Sequence, residues 1–260
     1  MGLFFAHLAD FVRMTDRRVG LLFLCAVLWA ALTPSLLSAQ HGELHHAAVT
    51  AGSHHDGHAG STESWEGSAA GVAYSERNHH VAGLFVVLIG LAELGYASRW
   101  PALGWVRFVT PAAMLTTSLF LLIWSDHEAW PVGSLTFAQS FFGDEPEIVQ
   151  HKMFGLAALA VGSIELIRRL GGLRRTWWTA PFPLMAIAGG LMLFAHSHGD
   201  HPSGEKIALH HAIMGTMAMT AGSSKLLSDW MKEPQAPSRW EVVWACLILV
   251  IGAQLLLYSE

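Results

Sequence analysis

"HHVAGLFVVLIGLAELG", residues His79 to Gly95, opens on two imidazoles, runs through apolar residues and carries Glu93 fourteen positions after His79. The same frame recurs twice. His79, Gly83, Gly90 and Glu93 are matched by His151, Gly155, Gly162 and Glu165, and again by His211, Gly215, Gly222 and Lys225. The offsets from histidine are +4, +11 and +14 each time. At about 100° per residue these positions fall within about 80° of one another and form one stripe along a helix. A related ending follows each frame: Trp124-Ser125-Asp126, His196-Ser197-His198 and Tyr258-Ser259-Glu260. The pattern predicts three parallel copies of one helical hairpin, over about 79–128, 151–200 and 210–260. Glycines at seven-residue spacing let helices approach closely where lipid supplies no hydrophobic drive for association. The expected packing sets the three first helices stripe to stripe around a shared axis.

Working outward, the 260 residues are 52% hydrophobic and only 13% charged, the composition of a polytopic membrane protein. The net charge of −5 gives no basis for a nucleic-acid partner. Six apolar stretches near 80–98, 104–124, 151–168, 178–195, 210–228 and 241–258 approach the length that crosses hydrocarbon. Basic residues orient them. Arg99, Arg107, Arg168, Arg169, Arg174, Arg175, Lys232 and Arg239 flank one set of connections. The opposite connections, 126–150 and 196–209, hold Lys206 alone. The first set is expected in the cytoplasm, with the second set and the C-terminus outside. Trp100, Trp105, Trp177, Trp178, Trp230 and Trp240 form an inner aromatic belt, and Trp124 and Trp130 an outer one. The fold class is therefore an all-α, six-helix membrane domain over 79–260.

Before it, Arg13, Arg17 and Arg18 precede an apolar run from Leu21, and Leu37-Ser38-Ala39 offers a signal-peptidase site. Residues 1–39 read as a signal peptide or an uncleaved signal anchor. Either delivers residues 40–78 to the exterior as a flexible Gly/Ser/Ala/His-rich tail carrying His41, His45, His46, His54, His55 and His58, which could capture metal. A bacterial-type inner membrane is the expected location. Cys25 and Cys246 are the only cysteines, which leaves no disulfide framework.

Two polar layers follow from the frame. Glu93, Glu165 and Lys225 lie about 21 Å from the histidines by helical rise and are expected to share charge in one inner cluster. At the outer ends, His79, His80, His151, His210 and His211 start helices, while Asp126, His127, His196 and His198 end them. Imidazole is the commonest metal-ligating side chain. Three stripe histidines on one axis would make a three-histidine site with an open position. Met153, Met192 and Met214 are candidate soft ligands and tilt the reading towards copper over zinc.

The helix-end stretches "HHVAG", "QHKMFG" and "HHAIMG" are similar to bacterial copper-resistance membrane proteins of the copper resistance protein D type, over about residues 79–230. That family usually has more spans than six. The resemblance implies copper handling, with a periplasmic metal carrier as an expected partner beside membrane lipid.

Three functions compete. The first is capture, homeostasis or transport of copper or a related divalent metal at the exoplasmic histidines. The second is a b-type cytochrome with one haem held by two facing histidines, such as His151 and His211. The third is an accessory subunit whose histidines are structural. No Ser-His-Asp pattern, phosphate-cradling loop or paired-cysteine site is present, so no catalytic residue is assigned.

Overall fold

The computed structural model describes residues 67–98, 104–195, 203–231 and 238–259. The leader, the tail histidines from His41 to His58, and His196, His198 and His201 lie outside the described residues.

The described chain is all-helical. Its α-helices are α1 (Ala69–Ala97), α2 (Val109–Ile123), α3 (Phe137–Phe142), α4 (Pro146–Arg169), α5 (Pro181–Ala195), α6 (Gly204–Met231) and α7 (Arg239–Leu256). Four helical segments are long and apolar enough to cross a membrane: Ala69–Ala97, Val106–Ile123, Thr176–Ala195 and Arg239–Leu256. Helices α4 and α6 cover the other two expected spans but carry Lys152, Glu165 and Arg168, or His210, His211 and Lys225, among their apolar residues.

Local sequence explains the ends. Ser68 Oγ accepts from Gly71 N at 3.1 Å and starts α1. The helix thus begins ten residues before His79, and the expected tail boundary at 78 is wrong. Residues 69–78 belong to α1, because Ser68 caps a run with no proline or glycine pair to stop it. Pro146 opens α4 and Glu147 sits in its first turn, whereas Arg168 and Arg169 occupy its last, each favourable to the helix dipole. Gly171, at φ 85°, then turns the chain away in a conformation that costs glycine nothing.

The core draws on every long helix. Met114, Val161, Phe182, Ala221, Trp244, Ala245, Ile248 and Ile251 form one buried cluster, with Val86, Ile89 and Leu94 of α1 packed against it. Trp244 is its largest member, and the Phe182 ring meets it edge-on at 5.1 Å.

The glycine stripes do what close packing requires, but against other partners than expected. A Cβ at Gly83 would meet Leu256 N of α7 at 2.8 Å, and one at Gly90 would meet Leu249 of α7 at 2.7 Å. At Gly155 it would meet Leu122 of α2 at 2.8 Å. At Gly215 and Gly222 it would meet Gly190 O and Pro183 O of α5 at 2.7 and 2.5 Å. Each stripe therefore faces the second helix of the neighbouring hairpin: α4 on α2, α6 on α5, and α1 on α7. Antiparallel neighbours place opposite dipole ends side by side, which parallel first helices would not. The stripe-to-stripe packing expected of positions 83, 155 and 215 is not formed.

Candidate metal centre

The helix starts with histidine and the ends of α2 and α7 gather at one pole of the bundle, called here the histidine end. The structure divides the predicted ligands. His151, at the start of α4, puts Nδ1 2.8 Å from Asp126 Oδ1, just beyond α2. Glu147 lies one turn before His151 on the same face of α4. Ligand atoms of Asp126, Glu147 and His151 all fall within 4.8 Å of one another, and this is the one such group of His, Cys, Asp or Glu among the described residues.

The other histidines go elsewhere. His79 stacks on Tyr258 with ring centroids 4.0 Å apart, and its Nδ1 lies 2.9 Å from Ser75 O. His80 Nε2 is 3.0 Å from Tyr258 O, and the His210 ring meets Tyr258 edge-on at 5.5 Å. His211 is buried in α6. His127 is exposed, with Nε2 3.7 Å from Glu128. Ligand atoms of His79, His151 and His211 do not form such a close group among the described residues. Met192 and Met214 are buried in α5 and α6, and Met153 stands two residues after His151, about 200° round the helix.

A frame of donors fixes Asp126. The last carbonyls of α2 have no partner within their own helix. Lys152, with no exposed surface, puts Nζ 2.9 Å from Leu122 O and 3.5 Å from Leu121 O. Tyr74 OH donates to Trp124 O and Asn78 Nδ2 to Ser125 O, both at 2.8 Å. Ser125 Oγ lies 2.7 Å from Leu121 O and also contacts Asp126 Oδ2. Helices α1 and α4 thereby hold the turn that presents Asp126 to His151. A lysine at a helix C-terminus also meets the negative end of its dipole.

The opposite, arginine end holds the second polar layer with a changed membership. Glu93 Oε1 takes Arg169 Nη2 at 2.5 Å and Thr110 Oγ1 at 2.7 Å, and Glu93 Oε2 takes Trp244 Nε1 at 3.3 Å. Glu165 binds Arg169 Nε at 2.5 Å and Arg168 Nε at 2.7 Å. Arg169 Nη1 also donates to Arg107 O at 2.7 Å. Lys225 pairs with Asp229 and Glu241, at 3.3 and 3.2 Å, and stands within electrostatic reach of Glu93. The expected Glu93–Glu165–Lys225 cluster gains Arg169, which joins the two glutamates directly. The guanidinium wins because its planar fork reaches both carboxylates and a carbonyl at once. Arginine does not give up its proton, so Arg169 ties Glu93 of α1 to Glu165 of α4 as a permanent cation between them.

No family model, curated protein or solved structure matches the chain.

The chemistry of the histidine end must therefore be read from its own donors. Two carboxylates and one imidazole suit borderline divalent ions such as Zn(II), Fe(II) and Cu(II), whereas Cu(I) prefers sulfur. Glu147, Lys152, Tyr74, Asn78, Thr110 and Trp244 were given no role by the sequence, and Arg169 was expected only as an orienting charge. The one visible signal was the four-residue spacing of Glu147 and His151.

Proposed function

We propose that the protein is a six-span membrane protein of three hairpins that binds a divalent transition-metal ion at Asp126, Glu147 and His151 on the exoplasmic side of a bacterial-type inner membrane, for metal capture or homeostasis. The observation that carries this is the convergence of those three side chains within 4.8 Å, in a frame held by Lys152, Tyr74 and Asn78. Three protein ligands leave positions open for water or for a donor on a metal carrier. Copper(II) ranks first by the intrinsic affinity order of nitrogen and oxygen sites, ahead of zinc. The histidines of the tail would raise the local ion concentration by tethering weak ligands near the centre.

The test is elemental analysis of purified protein after exposure to Cu(II) or Zn(II) and exhaustive dialysis. Wild type is expected to retain one ion that Asp126→Asn, Glu147→Gln and His151→Ala each lose. Retention of the ion by the triple variant would refute this site. A Soret band in the purified protein would point to haem instead.

A further inference from the structure

We propose that the segment from Trp130 to Phe142 lies in the headgroup layer of the bilayer at the histidine end, with zwitterionic phospholipid of that leaflet as its partner. This rests on the chain crossing the bilayer and is independent of metal binding. Trp130, Val132, Phe137 and Phe142 are 44%, 59%, 51% and 75% exposed.

Their outward direction is built into the segment. Ala129 and Ser140 are fully buried, and Phe141 nearly so. Ser140 Oγ accepts from Trp130 N at 2.8 Å. Thr136 and Gln139 form a reciprocal capping box at the start of α3. Phe137 stacks on Phe141 at 4.5 Å and takes Trp130 edge-on at 5.5 Å. Phe142 meets Phe141 at 6.3 Å, and the described residues leave much of the surface of Trp130, Phe137 and Phe142 uncovered.

Three observations favour lipid over a protein partner. Exposed apolar side chains also stand on and just after α2, before the segment, where Leu119 and Trp124 are 51% and 54% exposed. Helix α3, at six residues, is far too short to cross, and tryptophan and phenylalanine are side chains that settle at a bilayer interface. Finally, residues 126–150 hold five acidic residues and no Lys or Arg. That charge disfavours an anionic leaflet and leaves a zwitterionic one. Since the segment starts just after Asp126 and ends just before Glu147, seating it in the headgroups also fixes both carboxylates relative to the membrane.

The full chain carrying Cys25→Ser and Cys246→Ser is given one bimane-labelled cysteine, by Phe142→Cys or by Ala138→Cys, in phosphatidylcholine nanodiscs. Both labels are expected to lose emission to nitroxide on the upper acyl chain and to keep it with aqueous iodide. A label at Leu119→Cys, quenched by deeper nitroxide, checks the span itself. Failure of that control would overturn the membrane reading rather than this placement. With the control intact, iodide quenching at 142 and 138 to the extent seen for free dye would overturn the proposal by placing the segment in water. Protection from both quenchers would overturn it by placing protein, a second copy or another chain, over the aromatics.

Discussion

Arg169→Met should be among the most damaging single changes in this protein, and the structure gives its size. The guanidinium is nearly buried and contacts Glu93 and Glu165, each at 2.5 Å, and Arg107 O at 2.7 Å. Methionine fills much of the same volume and removes all three contacts. Glu93, 4% exposed, would keep Thr110 and Trp244 as donors but lose its hydrogen-bonded cation, with only the longer-range charge of Lys225 remaining. Breaking one side of a buried pair costs about 3 to 5 kcal/mol, or about two to three and a half orders of magnitude in the folded-to-unfolded ratio. Glu93→Gln on the Arg169→Met background removes the stranded charge and should restore about 1 to 3 kcal/mol as coupling energy. Lys152→Met, at the opposite end of the bundle with Nζ on Leu122 O, should instead combine additively with Glu93→Gln. The measurement is reversible SDS-induced unfolding in mixed micelles, followed by far-UV circular dichroism. A loss under about 1 kcal/mol for Arg169→Met, or simple additivity with Glu93→Gln, would refute the claim that this arginine carries the layer.

Other outcomes follow from single contacts. Gly222→Val should cost about 1 to 3 kcal/mol in the same unfolding assay, since its Cβ would sit 2.5 Å from Pro183 O. Gly95→Ala should be neutral or slightly stabilising, because its Cβ would meet only Val106 Cγ1, at 3.4 Å. Lys152→Met leaves Leu122 O without its side-chain donor, while Leu121 O keeps Ser125 Oγ, and should lower stability by about 1 to 3 kcal/mol. The same variant should also weaken Cu(II) binding in a competition titration, because the turn bearing Asp126 loses its anchor.

Much of the helical layout was legible, because a stripe of small and polar residues at fixed offsets is a property of one helix. The facing partner is a property of two. Gly83 and Gly90 announce a close neighbour, yet nothing in their spacing says that it is Leu249 and Leu256 of α7 rather than another stripe. Burial of Glu93 and Glu165 could be anticipated, since a carboxylate on an apolar face needs company. Its identity could not: Arg169 stands among Arg168, Arg174 and Arg175 and reads as one more orienting charge. At the other end, Asp126 was marked by its place after a helix and His151 by the frame. Glu147 was hidden beside Asp144 and Glu145, where acidity looks like a solvated loop.

The glycine face of α1 has a consequence for how the chain is made. Its docking surface is α7, where a Cβ on Gly252 would in turn lie 2.7 Å from Val87 N. Ribosomal synthesis delivers α1 first and α7 last, so the earliest helix waits for nearly the whole translation before its seam can shut. Helices α2 and α4 meet soon after emergence, and α5 and α6 likewise. The slow, entropically demanding event is the final latch between the first and last of the described helices. Until it closes, Gly83 and Gly90 leave a small-residue face of α1 without the close neighbour it is shaped for.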